Sequence, residues 1–301
     1  MNLLRKTWGI VIAVIISSCH SATFDTISPD GTLKVGVVTT KDGDYGKAAF
    51  VVHYKGDSIL FRSELGLETD AQKFAGNLRL KSVSEPKSVI DDYRMITGKR
   101  SHCVNEASER VYSLENDEGQ TLEVTFRVYN DGIAFKYGLK AISDEEHIIN
   151  EYTAYALPQG SKRWIQQYDP GYEKFFPLST DGKLANRPEV DLWGYPALIE
   201  PRDSVFVLIT EANIMPSLVG SEMCIRDRIT EANIRRGHCG SFLYNGDNRD
   251  NYQVRLGDKK LAFSGVWESP WRLLIAGSLA DITESTLVTD VSDPSKVEDT
   301  E

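Results

Sequence analysis

Apolar and polar residues alternate along two adjacent runs, Leu122–Tyr129 and Ile133–Tyr137, and this pattern constrains the fold more than any other part of the chain. Successive side chains of a β-strand point to opposite faces of a sheet, so the alternation predicts two strands that each bury one face. Asn130-Asp131-Gly132 separates the runs, and these residue types supply the positive φ that a tight turn needs. We therefore expect an antiparallel hairpin here, within an all-β chain.

Similar strand patterns occur along most of the sequence, separated by turns such as Lys55-Gly56-Asp57 and Asn116–Gly119. They are Leu33–Val37, Ala49–Tyr54, Ser58–Phe61, Val111–Leu114, Val205–Thr210 and Trp271–Ile275. No segment sustains an apolar period of 3.6 residues over three turns, so we expect only short helices, near Gln72 and Ala280. The pattern predicts a large two-sheet antiparallel β-sandwich with about eight or more strands in each sheet. We expect residues 164–196, rich in Pro and aromatics, to form long loops.

Residues 1–19 have the layout of a secretory signal rather than of a folded domain. Two basic residues at positions 5 and 6 precede a short apolar run, Ile10–Ile16, which is followed by Ser17-Ser18-Cys19. The run is too short to cross a bilayer of about 30 Å as a helix. Ile16–Cys19 resembles a bacterial lipobox with Cys19 as the lipidated residue, and cleavage after Ala22 is the alternative. We expect an exported protein, in the periplasm or on the outer membrane as a lipoprotein, with membrane contact only through a lipid anchor.

Six residues occur twice, because Ile209–Ile214 is repeated as Ile229–Ile234. The intervening residues 215–228 resemble a translated sequencing adapter from a misassembled gene, whereas a genuine repeat would duplicate a whole supersecondary unit. We therefore interpret residues 209–228 as an assembly artefact, and the alternative is a real surface insertion, which a loop would tolerate. We expect one sandwich domain over residues 20–293, with 215–228 as an artefact or disordered insertion and 294–301 as a linker truncated before a further domain.

Acidic residues outnumber basic ones, 44 to 34, and the net charge of −10 excludes nucleic acid as a partner because it repels phosphate backbones. The sequence has no Gly-rich phosphate loop, no nucleophile elbow and no paired-histidine metalloprotease helix. Glycosidases need a pair of carboxylates, but spacing alone singles out no pair here. The candidates are Glu173, Glu189, Glu211 or its copy Glu231, Glu268 and Glu284.

Two of the four cysteines lie in the segments already set apart, Cys19 in the signal and Cys224 in the suspected artefact. Cys103 and Cys239 remain. Two cysteines in an exported chain can form a disulfide, and two buried free thiols are the alternative. Each of them follows a histidine, but neighbouring residues on an extended strand point to opposite faces, which disfavours a shared metal site.

A series of short motifs runs along nearly the whole chain, and their order and spacing are more specific than any one of them. The motifs are Ser28–Gly31, Ser63–Leu67, Phe126–Tyr137, Glu151–Thr153, Trp164, Tyr172-Glu173, Ile229–Ala232, Ser269–Arg272, Glu284–Val288 and Asp293-Pro294. Taken together, they resemble the N-terminal domain of glycoside hydrolase family 97.

The resemblance implies a complete enzyme of three parts: this sandwich, of the galactose-mutarotase-like super-sandwich type, then a (β/α)₈ barrel and a small C-terminal β-domain. It also implies hydrolysis of α-glucosides or α-galactosides, with a calcium ion near the active site and the catalytic carboxylates in the barrel. On this view the chain stops before the barrel, contains no catalytic residue and is inactive alone. Its partners would be an α-linked oligosaccharide and the barrel of the same protein.

The resemblance carries over one ligand. The glutamate of the Thr-Glu-Ala strand resembles the family's calcium ligand, and here it is Glu231 or its copy Glu211. Because Ca²⁺ takes several oxygen ligands, one carboxylate is only part of a site, and we expect this chain alone to bind calcium weakly. The alternative is a surface glutamate on an edge strand.

Two groups of residues are further candidates for contacts with substrate or with the next domain. Trp164 and Tyr172-Glu173 are expected in long loops, where function more often resides, at the rim of the active site. Trp271 shares a strand face with other apolar residues and is expected in the core. Arg272 faces the other way, where we predict either a contact across a domain interface or a solvated charge.

Together these features predict the N-terminal, carbohydrate-associated domain of an exported, calcium-dependent α-glycosidase. Two other classes stay open. One is a sandwich that binds glycans without hydrolysing them, and the other is a structural surface lipoprotein with no sugar partner.

Overall fold

The computed structural model describes residues 25–40, 44–169, 174–183, 192–213, 242–245, 250–256 and 261–294. Within these residues the chain forms 23 strands and two short helices, which confirms an all-β protein with few helices. The helices are α1 (Leu279–Glu284) and α2 (Leu287–Asp290). The strands are β1 (Thr26–Ile27), β2 (Leu33–Thr39), β3 (Ala48–Tyr54), β4 (Asp57–Leu65), β5 (Leu67–Thr69), β6 (Lys73–Phe74), β7 (Leu78–Val83), β8 (Lys87–Arg94), β9 (His102–Asn116), β10 (Thr121–Tyr129), β11 (Gly132–Lys140), β12 (Glu146–Glu151), β13 (Ala154–Ala156), β14 (Lys162–Trp164), β15 (Leu178–Ser179), β16 (Leu192–Trp193), β17 (Ala197–Arg202), β18 (Val205–Ala212), β19 (Phe242–Tyr244), β20 (Asn251–Arg255), β21 (Leu261–Phe263), β22 (Val266–Glu268) and β23 (Trp271–Gly277).

Eleven of these strands form one large antiparallel sheet. Its main path is β15-β14-β17-β18-β23-β11-β10-β9-β7, with β22 paired to β11 and β8 paired to β9. The opposite layer consists of three four-stranded sheets, with the orders β1-β2-β3-β4, β21-β12-β5-β6 and β13-β20-β19-β16. The expectation of eight or more strands in each sheet is therefore right for the large sheet and wrong for the opposite layer. That layer is divided because many of its strands are only two or three residues long.

The main core lies between the large sheet and the three smaller sheets. Along β10, Leu122, Val124, Phe126 and Val128 are buried on the inner face, as the alternation predicts, and Glu123 between them is exposed. Phe126 packs against Phe50 of β3, with ring centroids 5.8 Å apart. Apolar residues from all four sheets join this core, so the sheets share one hydrophobic interior rather than forming separate domains.

A second, smaller core covers part of the outer face of the large sheet. Trp271, Leu273 and Ile275 of β23 pack there with Leu287 of α2 and with Val291. The expectation that Trp271 belongs to a core is confirmed, since it is 5% exposed. The two C-terminal helices therefore cover the outer face of the large sheet at β18 and β23.

Three predicted turns contain a glycine, and the sequence predicts a positive φ for the one at Asn130-Asp131-Gly132. Lys55 and Gly56 have φ of 51° and 90° between β3 and β4, and Gly119 has φ of 79° between β9 and β10. In the third, no residue of Asn130-Asp131-Gly132 has a positive φ, so that part of the prediction is wrong. Two segments that are distant in sequence hold this turn instead. The Asp30 N–H donates to Asn130 Oδ1 at 3.0 Å, and the Ala276 N–H donates to the Asp131 carbonyl at 2.9 Å.

Gly132 has a different role from the one its turn position suggests. A Cβ atom here would lie 2.7 Å from the carbonyl oxygen of Leu274 and 2.6 Å from Cδ2 of Leu287. These distances are too short for a real side chain. A glycine therefore lets β11, β23 and α2 approach each other closely.

The helix expected near Ala280 is present as α1, which begins with a capping box between Ser278 and Asp281. The helix expected near Gln72 is wrong. Gln72 lies between β5 and β6 and its side chain donates to the buried Glu146 carboxylate at 3.0 Å. That long-range contact, rather than local propensity, sets the conformation there.

Strand β18 is built from the first copy of the repeated hexapeptide, since it includes Ile209–Ala212. The second copy, Ile229–Ile234, and residues 215–228 lie outside the described residues, as do the signal segment 1–19 and the tail 295–301. Among the described residues, no helix is both long and apolar enough to span a bilayer.

Candidate functional site

A charged cluster lies inside the sandwich where β18 and β23 meet the end of β12. Side chains alternate along β23, with Trp271 and Leu273 on the outer face and Leu274 and Ala276 on the inner face. Arg272 belongs to the inner set and is 0% exposed. The alternative of a solvated charge is therefore wrong, because this guanidinium lies among the buried side chains between the layers.

Glu151 holds the Arg272 guanidinium in a bidentate ion pair. Arg272 Nε donates to Glu151 Oε1 at 3.1 Å, and Nη2 donates to Oε2 at 2.6 Å. Glu151 is also 0% exposed and ends a strand of the opposite layer. Burial opposes the charged form of Arg272, but the negative charge and hydrogen bonds of Glu151, with further contributions from Tyr195 and Tyr155, together raise the pKa of Arg272 above its ordinary value. The guanidinium thus stays cationic.

Glu211 makes the second contact with the same guanidinium. It lies directly opposite Arg272 in the β18–β23 register, and its Oε1 forms an ion pair with Arg272 Nη1. Glu211 is 9% exposed, so it is the member of the cluster closest to solvent. The alternative of a surface glutamate on an edge strand is wrong, since β18 lies between β17 and β23 and this side chain is buried.

Tyrosines surround the cluster. Burial raises the pKa of Tyr155, although the positive charge of Arg272 works against this, and burial raises that of Tyr195 well above the ordinary value. Burial likewise raises the pKa of Tyr137, whose hydroxyl accepts from the Gly66 N–H at 3.1 Å. All three phenols therefore stay neutral and add no negative charge to the cluster.

The cluster contains two carboxylates and one guanidinium. Because Glu151 already pairs with Arg272 through two hydrogen bonds, Glu211 is the carboxylate in excess. A carboxylate oxygen is the donor type that Ca²⁺ prefers, so Glu211 fits as one ligand of a calcium ion. In the described part of the chain, no group of three or more His, Cys, Asp or Glu could hold a metal, so any such site needs ligands from elsewhere. Glu231, the other candidate ligand, lies outside the described residues.

Trp164 lies on the outer face of the large sheet, in β14 rather than in the long loop that we expected. It borders a groove of about 500 Å³, which we call the outer groove. The groove is lined by apolar residues that include Trp164, Phe176, Leu198, Phe206, Leu208 and Leu279. Tyr172 and Glu173, the other residues expected at the rim of the site, lie outside the described residues.

A second recess, of about 440 Å³, is polar and lies between the turns at Asp30 and Asn130 and helix α1. Its carboxylates already accept hydrogen bonds from nearby donors. Asp30 Oδ1 accepts from the Thr32 N–H at 2.9 Å, and Asp281 Oδ2 accepts from the Ser278 N–H at 2.7 Å. This recess is therefore the place where two turns and a helix meet, and its Asp30 and Asp281 carboxylates already have hydrogen-bond donors.

The structure brings together Arg272 and Glu211 of the residues that we singled out, and adds Glu151. Glu151 was part of a motif but had no predicted role. Sequence reasoning missed it because Glu151 and Arg272 are 121 residues apart and lie in different sheets, so only the packing of the two layers brings them together. Arg272 is fully buried within this domain, so the predicted contact across a domain interface would have to run through the partly accessible Glu211.

The two cysteines that were candidates for a disulfide are only half described. Cys103 is buried on β9 and forms no disulfide with a described residue, whereas His102 beside it is exposed, so the two side chains point to opposite faces as expected. Cys239 and the proposed lipidation site Cys19 lie outside the described residues, and both assignments stay predictions.

Comparison with known proteins gives a family match and a related protein, and both cover nearly the whole chain. The family model "Glycosyl-hydrolase 97 N-terminal" matches residues 27–294. The "Probable retaining alpha-galactosidase" of Streptomyces bingchenggensis (strain BCW-1) is 25% identical over 308 residues, which cover 99% of this chain and 44% of that protein.

Solved structures share the fold. A beta-arabinopyranosidase superposes with a TM-score of 0.75 at 24% identity, over 92% of this chain and 44% of that one. A Glycoside Hydrolase Family 97 enzyme from Pseudoalteromonas sp. strain K8, in complex with acarbose, gives a TM-score of 0.73 at 18% identity, over 90% of this chain and 38% of that one. The chain thus spans less than half the length of each of these relatives.

Proposed function

Since the chain belongs to the glycosyl-hydrolase 97 N-terminal family, we propose that it serves as the N-terminal domain of an exported, calcium-dependent α-glycosidase, with the catalytic residues in a following domain. The observation that carries this proposal is the family match over nearly the whole chain together with its 44% coverage of the α-galactosidase relative. The substrate class is an α-linked glucoside or galactoside.

In this proposal the domain contributes one calcium ligand from the Thr-Glu-Ala strand. Glu211 supports the role, because it is a nearly buried carboxylate in excess over the guanidinium beside it. In the natural sequence the ligand would be Glu231 if residues 209–228 are an artefact. When bound, calcium would supply a fixed positive charge beside the sugar site. The pairing of β18 with β23 holds Glu211 opposite Arg272.

Calorimetry tests the shared metal site. The 301-residue chain should bind Ca²⁺ weakly, because Ca²⁺ requires about six to eight oxygen ligands, and the described residues contain no group of three or more His, Cys, Asp or Glu that could hold a metal. Tight 1:1 binding by this chain alone would contradict a site shared with another domain.

The proposed activity is tested with the DNA downstream of codon 301. We expect an in-frame barrel with several acidic residues at its strand ends, and hydrolysis of nitrophenyl α-glucoside or α-galactoside by the longer product only. A natural stop codon followed by an unrelated gene would contradict the proposal, as would hydrolysis by the 301-residue chain above a mock preparation.

Export and lipidation complete the proposal. The layout of residues 1–19 supports a signal, with Cys19 as the lipid-bearing residue. Globomycin, which blocks processing of bacterial lipoproteins, should make the uncleaved precursor accumulate. Normal processing in its presence would instead support cleavage after Ala22.

A further inference from the structure

Three charged side chains meet at one end of the sandwich, each near the end of its strand. Glu211 is the last residue but one of β18, Arg272 is the second residue of β23, and Glu151 is the last residue of β12. Glu211 and Arg272 lie directly opposite each other in the large sheet and therefore point to the same inner face. Glu151 approaches from the opposite layer, so one guanidinium contacts a carboxylate of each layer.

The donors of the Arg272 guanidinium are divided between the two carboxylates. Nε and Nη2 donate to Glu151 at 3.1 and 2.6 Å, whereas Nη1 contacts Oε1 of Glu211. A guanidinium is planar and its donors have fixed directions. Binding one edge to Glu151 therefore also fixes the direction in which Nη1 points. Among the described residues, none donates a hydrogen bond to the second oxygen of Glu211, Oε2, which leaves this oxygen for another partner.

We propose that Arg272 and Glu151 are positioning residues for the calcium ligand Glu211. Arg272 fixes the direction of the Glu211 carboxylate, and Glu151 holds Arg272 in place. This inference rests on the proposed function, because that function supplies the calcium ion. Neither positioning residue would touch the ion, since both are 0% exposed whereas Glu211 is 9% exposed. Residues behind a metal ligand commonly orient it, and losing one typically lowers metal affinity about 10- to 100-fold.

The charges explain why the cluster needs Glu151 as well as Arg272. A guanidinium without its own carboxylate would repel a metal cation at Glu211 and would compete with it for the same oxygens. The Glu151 carboxylate offsets that positive charge through two hydrogen bonds. The negative charge of Glu211 therefore stays available to attract a cation, although one of its oxygens contacts Arg272.

Calorimetric titration of Ca²⁺ tests the positioning role. The sample is the product of the reading frame continued past codon 301, treated with a chelator before the titration. Glu151→Gln keeps the shape of the side chain but removes its charge, so Ca²⁺ affinity should fall about tenfold or more. Arg272→Lys keeps the positive charge but loses the planar set of donors that reaches both carboxylates, and the loss of affinity should be similar.

Glu146→Gln is the matched control. Glu146 lies on β12 with Glu151, is also 0% exposed, and undergoes the same substitution. This variant should lose stability, but its Ca²⁺ affinity should equal that of the natural protein. A loss of affinity confined to the Glu151 and Arg272 variants therefore cannot come from general destabilisation. Circular dichroism shows that each variant is folded, and Arg272→Lys, which keeps a buried cation between the carboxylates, decides the question if Glu151→Gln does not fold.

Glu211→Gln separates this inference from the proposed function, because it removes the charge of the ligand itself. Weaker Ca²⁺ binding by Glu211→Gln, with unchanged affinity in both Glu151→Gln and Arg272→Lys, would overturn the positioning role and leave the proposed function in place. Unchanged affinity in Glu211→Gln, or a longer protein that binds no Ca²⁺, would overturn the calcium role in the proposed function and this inference with it.

Discussion

Arg272 and Glu151 form a bidentate ion pair in which both side chains are 0% exposed, with contacts of 3.1 and 2.6 Å. The pair joins β23 of the large sheet to β12 of the opposite layer. Buried ion pairs gain little over well-packed apolar residues, but breaking one is costly because a charge stays buried without a partner. The pair therefore fixes the register between layers more than it adds to the free energy of unfolding.

Arg272→Met should lower the free energy of unfolding by about 3–5 kcal/mol, because it leaves the Glu151 and Glu211 carboxylates buried without their cation. Urea unfolding followed by circular dichroism measures this change.

A double-mutant cycle identifies the cause. Glu151→Gln in the Arg272→Met background should cost much less than in the natural background, since the buried charge is then already unpaired. Additive costs would show that the two side chains do not interact.

The position of Arg272 illustrates what the sequence can predict. Alternation places Arg272 correctly on the face opposite Trp271, because the two-residue period of a strand is a local property. Alternation does not show whether that face meets water or another layer. Its partner Glu151 lies 121 residues away and depends on the topology of the whole sandwich. The fold class was predictable and the charged cluster was not.

Gly132→Ala should lower the free energy of unfolding by about 1–3 kcal/mol, as overpacking does, because the new Cβ would press on backbone. It would lie 2.7 Å from the Leu274 carbonyl oxygen and 2.6 Å from Leu287 Cδ2, so either the strands or α2 must move. Thermal and urea unfolding measure the change.

Gly138→Ala on the same strand is the matched control. A Cβ there would meet Glu123 Cβ at 3.6 Å, which is ordinary contact, so this variant should be close to the natural chain. Equal effects at both positions would argue for a general loss of glycine flexibility.

Gly132 also shows a limit of turn motifs. Asn-Asp-Gly is a good signal for a reversal, and the hairpin between β10 and β11 is present. The motif does not report that Asp30 and Ala276 hold the turn from outside, or that Gly132 is needed for close packing. Both features depend on residues that are distant from Gly132 in sequence.

Glu146→Gln should remove a pH-dependent part of the stability. Glu146 is 0% exposed and accepts from Thr69 Oγ1 at 2.9 Å, Gln72 Nε2 at 3.0 Å and the Ile142 N–H at 2.5 Å. Burial alone would raise the pKa of Glu146, but these hydrogen bonds outweigh it and hold the pKa below its ordinary value of 4.5. The carboxylate therefore stabilises the fold above that pH, and the contribution is lost as the pH falls through the lowered pKa.

Urea unfolding from pH 7 down to pH 3 checks the sign. The stability difference between the natural chain and Glu146→Gln should be about 1–3 kcal/mol near neutral pH and should shrink below about pH 4.5. Glu118→Gln, at an exposed turn, is the control and should show little difference at any pH. A difference for Glu146→Gln that grows on acidification would mean that the folded-state pKa is raised instead.

Deleting residues 215–234 should leave the fold intact, because β18 already contains the first hexapeptide copy. The deletion shortens the connection between Asn213 and β19 by twenty residues, from 214–241 to an eight-residue link. Since closing a loop costs roughly 0.6 kcal/mol for each doubling of its length, the free energy of unfolding should rise by about 1 kcal/mol. Deleting residues 209–228 gives the same final sequence, so one clone tests both boundaries of the suspected artefact.

Urea unfolding and far-ultraviolet circular dichroism are the measurements. A deletion variant that loses its β-sheet spectrum would show that residues 215–228 belong to the fold, and would favour a real insertion over an assembly artefact.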